Sequence, residues 1–518
     1  MSAPSLHSGD HEKAVDVHND FASKPLDGPS FSAAEEKKLM RKIDYKLVPF
    51  LSLLYLLSFL DRVNIGMARL DGLEADLGLS GNDYQITLLV FFVGYVITEV
   101  PSNIFIKKLR PSRFIPAIMI IWSIVMTLMG LCTNFGGLVA ARFFLGLSES
   151  ALFPGICYYL ICWYKREESQ LRISIFFSSA TLAGAFGGLL AYGIGFMGGI
   201  GGKGGWSWIF IIEGLMTFVV GCIAPFMIED FPEDAKFLTE RERAFVVHRL
   251  REDTGAAGEF RWRHVKAAFK DWKTYCYALI YIGVAEPLYS LSLFSPTLIA
   301  NLGTWTRAQS QLLTVPPYAL AFIVTLSVAL LSDKYGQRAI VNITFMSLAI
   351  VGFIIQLAID PRENSTGAYI GLWCCVVGVA PAIATTITWC GNNTAGVLKR
   401  GTAMGALFMT GNSGGIVSSV VYRTQDAPRY TRGHGTGLAF AAMAVILSTV
   451  MLIWTKRENA RRDAKYGTVA ELMKNSGAEN LTQLHENPDV RRRLGIDHLS
   501  EEEIEALGDR HPLFRYLP

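Results

Sequence analysis

Two charged residues, Asp61 and Arg62, follow a run from Leu47 to Leu60 that contains no charge. A charge in the middle of a bilayer costs about 2.5 to 3.5 kcal/mol on insertion scales, so it is seldom there without a partner or a function. The arginine side chain keeps its charge and offers a planar fork that matches a carboxylate. We therefore predict that Arg62, with Asn64 nearby, binds an organic anion. The alternative is that the charged pair anchors a helix at the membrane interface.

A second charged set has helical spacing. Arg142, Gly146 and Glu149 are separated by four and three residues, which places them on one helix face, with Gly146 leaving room between the two charges. Such a face points into a bundle, where Glu149 can exchange protons and Arg142 can modulate its proton affinity. Glu149 is the main proton-coupling candidate, and Asp61 and Glu213 are the next. The alternative for each is a purely structural ion pair or helix tie.

The composition is that of an integral membrane protein. Of the 518 residues, 51% are hydrophobic and 18% are charged, and the mean hydropathy is +0.31, more apolar than a soluble domain requires. The formal net charge of +3 does not support a nucleic-acid partner. The eight cysteines lack metal-ligand spacing, so we expect neither disulfides nor a metal site. The nine histidines lie outside the apolar runs or at an edge, so carboxylates, including Glu99 and Glu286, are the expected proton carriers.

Apolar windows long enough to cross a bilayer recur along the whole chain. They predict an all-α membrane protein with twelve transmembrane helices in two six-helix, pseudo-symmetric bundles. The predicted organisation is an N-terminal tail at 1–45, a first bundle at 46–228, a linker at 229–273, a second bundle at 274–455 and a C-terminal tail at 456–518. The C-terminal tail is rich in charge, and we expect it to be solvated, with short amphipathic pieces.

Basic residues in short loops indicate the orientation, because lysine and arginine are retained on the cytoplasmic side. They concentrate in alternate loops, at 107–113, 164–166, 333–338 and 398–400. Both termini and the linker are therefore predicted to be cytoplasmic. The loop at 422–434 is an exception, since it is predicted to lie outside and holds three arginines.

Two short motifs narrow the class of protein. A GxGxxG pattern at 193–198 lies in an apolar helix with no strand before it, so we predict no nucleotide site. No catalytic residue set or cofactor site is expected elsewhere either, and the chain is predicted not to be an enzyme. LSDKYGQR at 331–338 resembles a gate loop of the major facilitator superfamily, in which the acid pairs with basic residues and a helix end. The resemblance implies a gate built from Asp333, Gly336 and Arg338.

Longer motifs extend this resemblance over roughly residues 42–463. FLDRVNIGMARL, RFFLGLSESALFPG and GNSGGIVSSVVYRTQDAPRY are similar to the fungal allantoate and nicotinate permease branch of the anion:cation symporter family. The resemblance implies the major facilitator fold and proton-coupled movement of an organic anion, such as a vitamin, allantoate or another carboxylate. The R-x-N-x-G pattern at 62–66 is similar to that of the related vesicular glutamate and sodium-phosphate transporters, in which the matching arginine contacts a substrate carboxylate.

The seventh helix, at 281–296, departs from those relatives, which carry a second arginine there. This chain has Glu286 instead, which argues for a substrate with one carboxylate; the alternative is that Glu286 serves a cationic group. We expect Tyr289, Trp389 and Asn392 to line a midplane cavity beside Arg62, the alternative being that each packs or caps a broken helix.

The sequence thus predicts a secondary transporter that moves a small organic anion by alternating access, with protons as the coupling ion. It is expected to be a multi-pass monomer in the plasma membrane. Charge moving through the membrane costs about 2.3 kcal/mol per 100 mV, so anion import against an inside-negative potential needs co-transported protons. Two alternatives stay open: an exporter of an acidic fungal secondary metabolite, and a non-transporting nutrient sensor.

Overall fold

The computed structural model describes residues 31–254, 262–303, 305–476, 484, 487–500, 503–504 and 507–518. The helices of the first half are α1 (Ala33–Val63), α2 (Ile65–Leu70), α3 (Leu73–Asp76), α4 (Asp83–Lys108), α5 (Pro111–Met129), α6 (Phe135–Glu149), α7 (Leu152–Ile161), α8 (Arg166–Gly195) and α9 (Gly205–Met227). The linker forms α10 (Glu240–Thr254) and α11 (Trp262–Lys270). The second half and the tail contain α12 (Trp272–Ala300), α13 (Arg307–Leu312), α14 (Val315–Tyr335), α15 (Arg338–Ala358), α16 (Ser365–Asn392), α17 (Val397–Val421), α18 (Thr431–Tyr466), α19 (Val469–Ser476) and α20 (Pro488–Leu494).

Ten helical segments within these ranges are long and apolar enough to cross a bilayer. Two more helices, α4 and α17, have 26 and 25 residues and pack against each other at the contact between the two halves. Together they give six long helical segments in each half. The all-α fold class with two six-helix bundles is therefore confirmed.

Several helix ends carry residues that satisfy free backbone groups. Ser32 begins α1 with a capping box to Glu35, and the side chain of Asn364 begins α16 by accepting from the N–H of Gly367 at 2.8 Å. Gly336 ends α14 with φ of 66°, a left-handed conformation that glycine adopts without strain. The glycine of the gate motif thus turns the chain from α14 into α15.

Two membrane-spanning helices loosen locally next to charged side chains. α1 ends at Val63 and α2 begins at Ile65, and α6 ends at Glu149 and α7 begins at Leu152. The backbone of Asn64, Ser150 and Ala151 keeps right-handed helical angles, so Ala33–Leu70 and Phe135–Leu160 each cross as one continuous span. Arg62 and Glu149 both lie at these loosened turns.

One face of the molecule carries the linker, and we call it the linker side; the other, with the loops at 71–82, 196–204 and 301–306, is the opposite side. On the opposite side the two halves are joined by polar contacts. Arg307 Nε lies 2.7 Å from Asp71 Oδ1, and Gln311 donates to Asp71 Oδ2 at 3.0 Å. Arg69 donates to Thr424 at 3.0 Å. These contacts form what we call the opposite-side seal.

On the linker side, each half has its own cover. The linker packs on the first half, where Arg249 of α10 donates to Glu36 at 2.7 Å and to Glu168, and Lys42 donates to Glu242 at 2.7 Å. The C-terminal tail packs on the second half, with residues 507–518 folded against α16 and α18. The expectation of a solvated tail is wrong for this stretch, because its charged and main-chain groups are bound by buried side chains.

Candidate functional site

A narrow central cavity, with free room for about one water molecule, lies between the two halves beside Arg62. The first half contributes Tyr55, Phe59, Arg62, Tyr95, Phe153 and Phe177, and the second contributes Tyr281, Ala285, Leu288, Tyr289, Ile383 and Asn412. Arg62 is the one charged side chain among these lining residues. The lining is therefore mostly aromatic and apolar, with a single cation.

Arg62 forms a buried ion pair with Glu149. Its Nη2 lies 2.6 Å and its Nε 3.1 Å from Oε1 of Glu149, and Ser58 donates to the same oxygen at 2.6 Å. The other carboxylate oxygen, Oε2, is buried and makes no hydrogen bond to the described part of the chain. Glu149 therefore balances the charge of Arg62 through one of its two carboxylate oxygens.

The prediction placed Arg142 and Glu149 on one face of a helix, but the described residues show no direct ion pair between them. Glu149 follows Arg142 by seven residues, about 10 Å along the helix axis. Arg142 instead donates Nη1 to the main-chain oxygen of Arg62 at 3.4 Å, so it supports the backbone at the end of α1. Gly146 does not separate two charges; a Cβ there would lie 2.1 Å from the carbonyl oxygen of Phe91, so the glycine lets α6 approach α4.

The other predicted polar residues of the first half form a separate buried cluster. Asp61 accepts hydrogen bonds from Trp122 at 3.1 Å and from Thr217 at 2.9 Å. Asn64 donates to Glu213 at 2.8 Å. Asp61 and Glu213 are fully buried, and neither they nor Asn64 lines the cavity. Asn64 thus contacts a carboxylate behind the site, contrary to its predicted place in the substrate chamber.

Tyr289 lies in the cavity wall, as predicted, and it begins a chain of hydrogen bonds that the sequence did not indicate. Arg62 donates Nη1 to the Tyr289 hydroxyl at 3.3 Å, which donates to Asn412 Oδ1 at 2.6 Å. Asn412 then donates Nδ2 to Glu99 at 2.9 Å. Asn412 was missed, although an asparagine in an otherwise weakly polar membrane helix is a signal for function.

Trp389 and Asn392 lie away from the cavity, which corrects their predicted role. Trp389 follows the wall residue Ile383 by six positions, about 9 Å along α16. Its Nε1 donates to the carbonyl of Leu517 at 3.0 Å, and its ring packs on Tyr277. Asn392 is the last residue of α16, at the same linker-side end.

A second small cavity lies on the linker side, between α8 and the second half. Arg338 of the gate motif lines it together with Ser174, Thr385 and Thr388. The side chain of Asp333, the predicted acid of the gate, lies outside the described residues. Glu286 is buried away from both cavities and accepts from Ser290 at 2.7 Å.

Two helical bundles around a central cavity with a buried charge pair beside it are the arrangement of a membrane transporter. The chain belongs to the Major Facilitator Superfamily, whose family description matches residues 51–419. It is therefore a multi-pass membrane transporter and not an enzyme.

Its relatives include fungal transporters. An uncharacterized transporter of Schizosaccharomyces pombe is 36% identical over 453 residues, which are 87% of this chain and 90% of that protein. The MFS-type transporter cnsO of Penicillium expansum is 34% identical over 475 residues, 89% of this chain and 91% of the relative. Among solved structures, a bacterial homologue of the human lysosomal transporter Spinster, inward-facing and occupied, gives a TM-score of 0.57 at 16% identity. That match covers 79% of this chain and 96% of the other and concerns the fold alone.

Proposed function

We propose that this transporter carries a small organic anion with one carboxylate, in symport with protons, and that it belongs to the anion:cation symporter branch. The observation that carries the proposal is the Arg62–Glu149 pair, at 2.6 Å, beside an aromatic cavity in which Arg62 is the one lining charge. A vitamin-like or allantoate-like carboxylate fits this chemistry, since aromatic rings bury its body and the guanidinium fork holds its charge.

Competition for Arg62 links the anion to the proton. An entering carboxylate takes N–H groups of Arg62 that Glu149 or Tyr289 hold in the empty site. Glu149, left in an apolar chamber without its cation, is stabilised by accepting a proton. The pair is neutral before loading, and it stays neutral overall after one anion and one proton have been added. The empty and loaded carriers then cross between states with equal charge, which avoids the electrical cost of moving a lone anion.

The direction we propose is import across the plasma membrane, with both termini in the cytoplasm and one chain as the working unit. The support for this orientation is the distribution of basic loops, and the support for a single-chain unit is that both halves of the cavity come from one chain.

The test is uptake by the purified protein in proteoliposomes with an imposed pH gradient. The labelled panel contains nicotinate, pantothenate, allantoate and small aliphatic acids. Arg62→Ala should abolish accumulation, and Arg62→Lys should retain part of it, because lysine keeps the charge but loses the fork. The matched control is Arg432→Ala, an exposed arginine on the opposite side, which should leave uptake unchanged. Full accumulation by Arg62→Ala at normal protein levels would show that the receptor lies elsewhere.

A further inference from the structure

Residues 507–518 are bound at the linker-side end of the second half, and we call this stretch the C-terminal latch. Asn393, just after α16, holds the main chain of Leu517 through both of its side-chain atoms. Its Nδ2 donates to the Leu517 carbonyl at 2.9 Å, and its Oδ1 accepts from the Leu517 N–H at 2.8 Å. Trp389 donates to the same carbonyl. The end of α16 therefore recognises the extended backbone of the latch.

Buried charges complete this binding site. Asp509, 1% exposed, accepts from Lys399 at 2.6 Å and from Lys273. Arg462 of α18 donates Nη1 to three main-chain oxygens of the latch, between 2.8 and 3.3 Å. Asp271 also lies within 3.3 Å of both lysines. Lys273 and Lys399 thus share two carboxylates while the latch is docked and would share one after its release, which is costly for buried charges.

The latch also reaches the gate motif. The main-chain oxygen of Pro518 accepts from the N–H of Arg338 at 2.8 Å. This N–H is the first of α15, whose N-cap residue Gln337 forms no side-chain capping bond. The side chain of Arg338 lines the linker-side cavity together with Ser174 of the first half and Thr388 of α16. The latch therefore holds the start of α15 and the end of α16, which both border that cavity.

We propose that residues 507–518 are an intramolecular regulatory latch. During alternating access, closing the linker side requires helix ends around the linker-side cavity to move toward the first half. A docked latch holds the ends of α15 and α16 in place and so disfavours the state that is open on the opposite side. Release of the latch frees these ends and raises the population of that state. This inference rests on transport by alternating access but not on the identity of the anion.

The test measures opening directly, on the full chain in lipid nanodiscs with no anion added. Spectroscopic labels at Ala75 and Glu363, exposed on the opposite side of the two halves, report their separation. A minor state of a two-state protein is populated at roughly 0.1–10%. The double variant Asp509→Asn with Tyr516→Ala should raise the population with the long separation about tenfold, and a synthetic peptide of residues 507–518 should reverse the rise.

The matched control is Asp497→Asn, an exposed tail acid, which should not change the distances. Tyr516→Phe is the milder variant; it loses the hydroxyl bonds to Lys273 and Asp509 and should give a smaller rise in the same direction. Hydrogen exchange of residues 507–518 reports release independently. If residues 507–518 are released but the distances between the labels do not change, the proposed regulatory role of the latch is wrong. A change in distances in a protein that transports no anion of the panel upholds the latch and rejects the proposed substrate class.

Discussion

The surroundings of Arg62 determine what the central cavity can hold. The guanidinium carbon lies 4.8 Å from the ring centre of Tyr95 and 5.7 Å from that of Phe59, so aromatic faces stabilise the charge where water is excluded. Its bond to Tyr289 is the longest of its three side-chain bonds, at 3.3 Å. An entering carboxylate can therefore accept a hydrogen bond from this N–H while breaking the weakest of the existing side-chain bonds of Arg62.

Replacing Glu149 should separate binding from proton coupling. Glu149→Gln keeps an oxygen for Arg62 but cannot exchange a proton, so we expect exchange of labelled for unlabelled anion to persist. Accumulation driven by a pH gradient should fall about tenfold per pH unit of gradient, because one proton carried with one anion supplies about 1.4 kcal/mol per pH unit. Counterflow and gradient-driven uptake in the same proteoliposomes measure the two activities.

The matched control is Glu286→Gln, a buried carboxylate that binds Ser290 within its own helix. It should leave the pH dependence of uptake intact. Gradient-driven accumulation by Glu149→Gln equal to that of the wild type would assign the proton to another carboxylate.

Sequence spacing identified Arg62 and Glu149 but not their pairing. The two residues are 87 positions apart and meet because the tertiary packing brings α1 and α6 together. Helical periodicity reports neighbours within one helix, so it offered Arg142 as the partner. The same limitation hid Asn412, whose partners Tyr289 and Glu99 lie 123 and 313 positions away.

At the scale of helices, the close approach of α4 and α6 positions Glu149. Gly146 faces the carbonyl of Phe91, and Gly94 faces the carbonyl of Phe143, so each helix presents a glycine to the backbone of the other. Small residues at such crossings let membrane helices pack closely. The hydropathy pattern predicted the long helices but not this crossing, because a window average does not register single residues.

Gly146→Ala should destabilise the protein and disturb the site together. The added Cβ would lie 2.1 Å from a carbonyl oxygen, and overpacking of this kind costs about 1–3 kcal/mol. We expect a lower thermal midpoint and weaker anion uptake, because α6 must shift and carry Glu149 away from Arg62. Gly193→Ala is the matched control, since that helical glycine has no neighbour within 4 Å of the added carbon. Equal midpoints for the two variants would contradict the proposed crossing.

At the scale of the whole molecule there are two kinds of contact. Each cover packs on one half, whereas the opposite-side seal joins the two halves. The linker packs on the first half and the C-terminal tail packs on the second, so the tail acts on helix ends within its own bundle. The opposite-side seal joins the two bundles and has to break in each cycle.

The seal should respond differently to the loss of each charge. Burial raises the pKa of Asp71 above its usual range, although Arg307 and Gln311 act to lower it. The sealed state therefore binds a proton more readily than a solvated Asp71 does, so acid favours the seal and its contribution is lost as the pH rises through the raised pKa. Asp71→Asn should keep the seal closed as the pH rises through the raised pKa of Asp71, because the amide carries no charge. Arg307→Ala should open the seal, because it leaves a buried carboxylate without its cation.

Distances between labels at Ala75 and Glu363 measure both outcomes. Opening by Asp71→Asn would show that the ion pair stabilises the seal more than burial of the carboxylate destabilises it. No opening by Arg307→Ala would show that other contacts close this side.

Docking of the tail should be stable in mild acid. Burial acts to raise the pKa of Asp509, but Lys273 and Lys399 outweigh it and hold the pKa below its usual range. The stabilisation from this carboxylate is present above its ordinary pKa and is lost only as the pH falls through the lowered value. Limited proteolysis of the tail should therefore give the same pattern at neutral and mildly acidic pH. Cleavage within residues 507–518 that increases already in mild acid would contradict this assignment of charge.

The helix cap at the start of α16 involves only the side-chain oxygen of Asn364 and not its Nδ2. Its Oδ1 accepts from Gly367, and the residue is exposed. Asn364-Ser365-Thr366 is also an acceptor sequence for N-glycosylation, which attaches the sugar to Nδ2. A glycan and the helix cap can therefore occupy the same side chain. In a eukaryotic host, a shift in gel mobility after glycosidase treatment would mark the start of α16 as the face that passed through the secretory lumen.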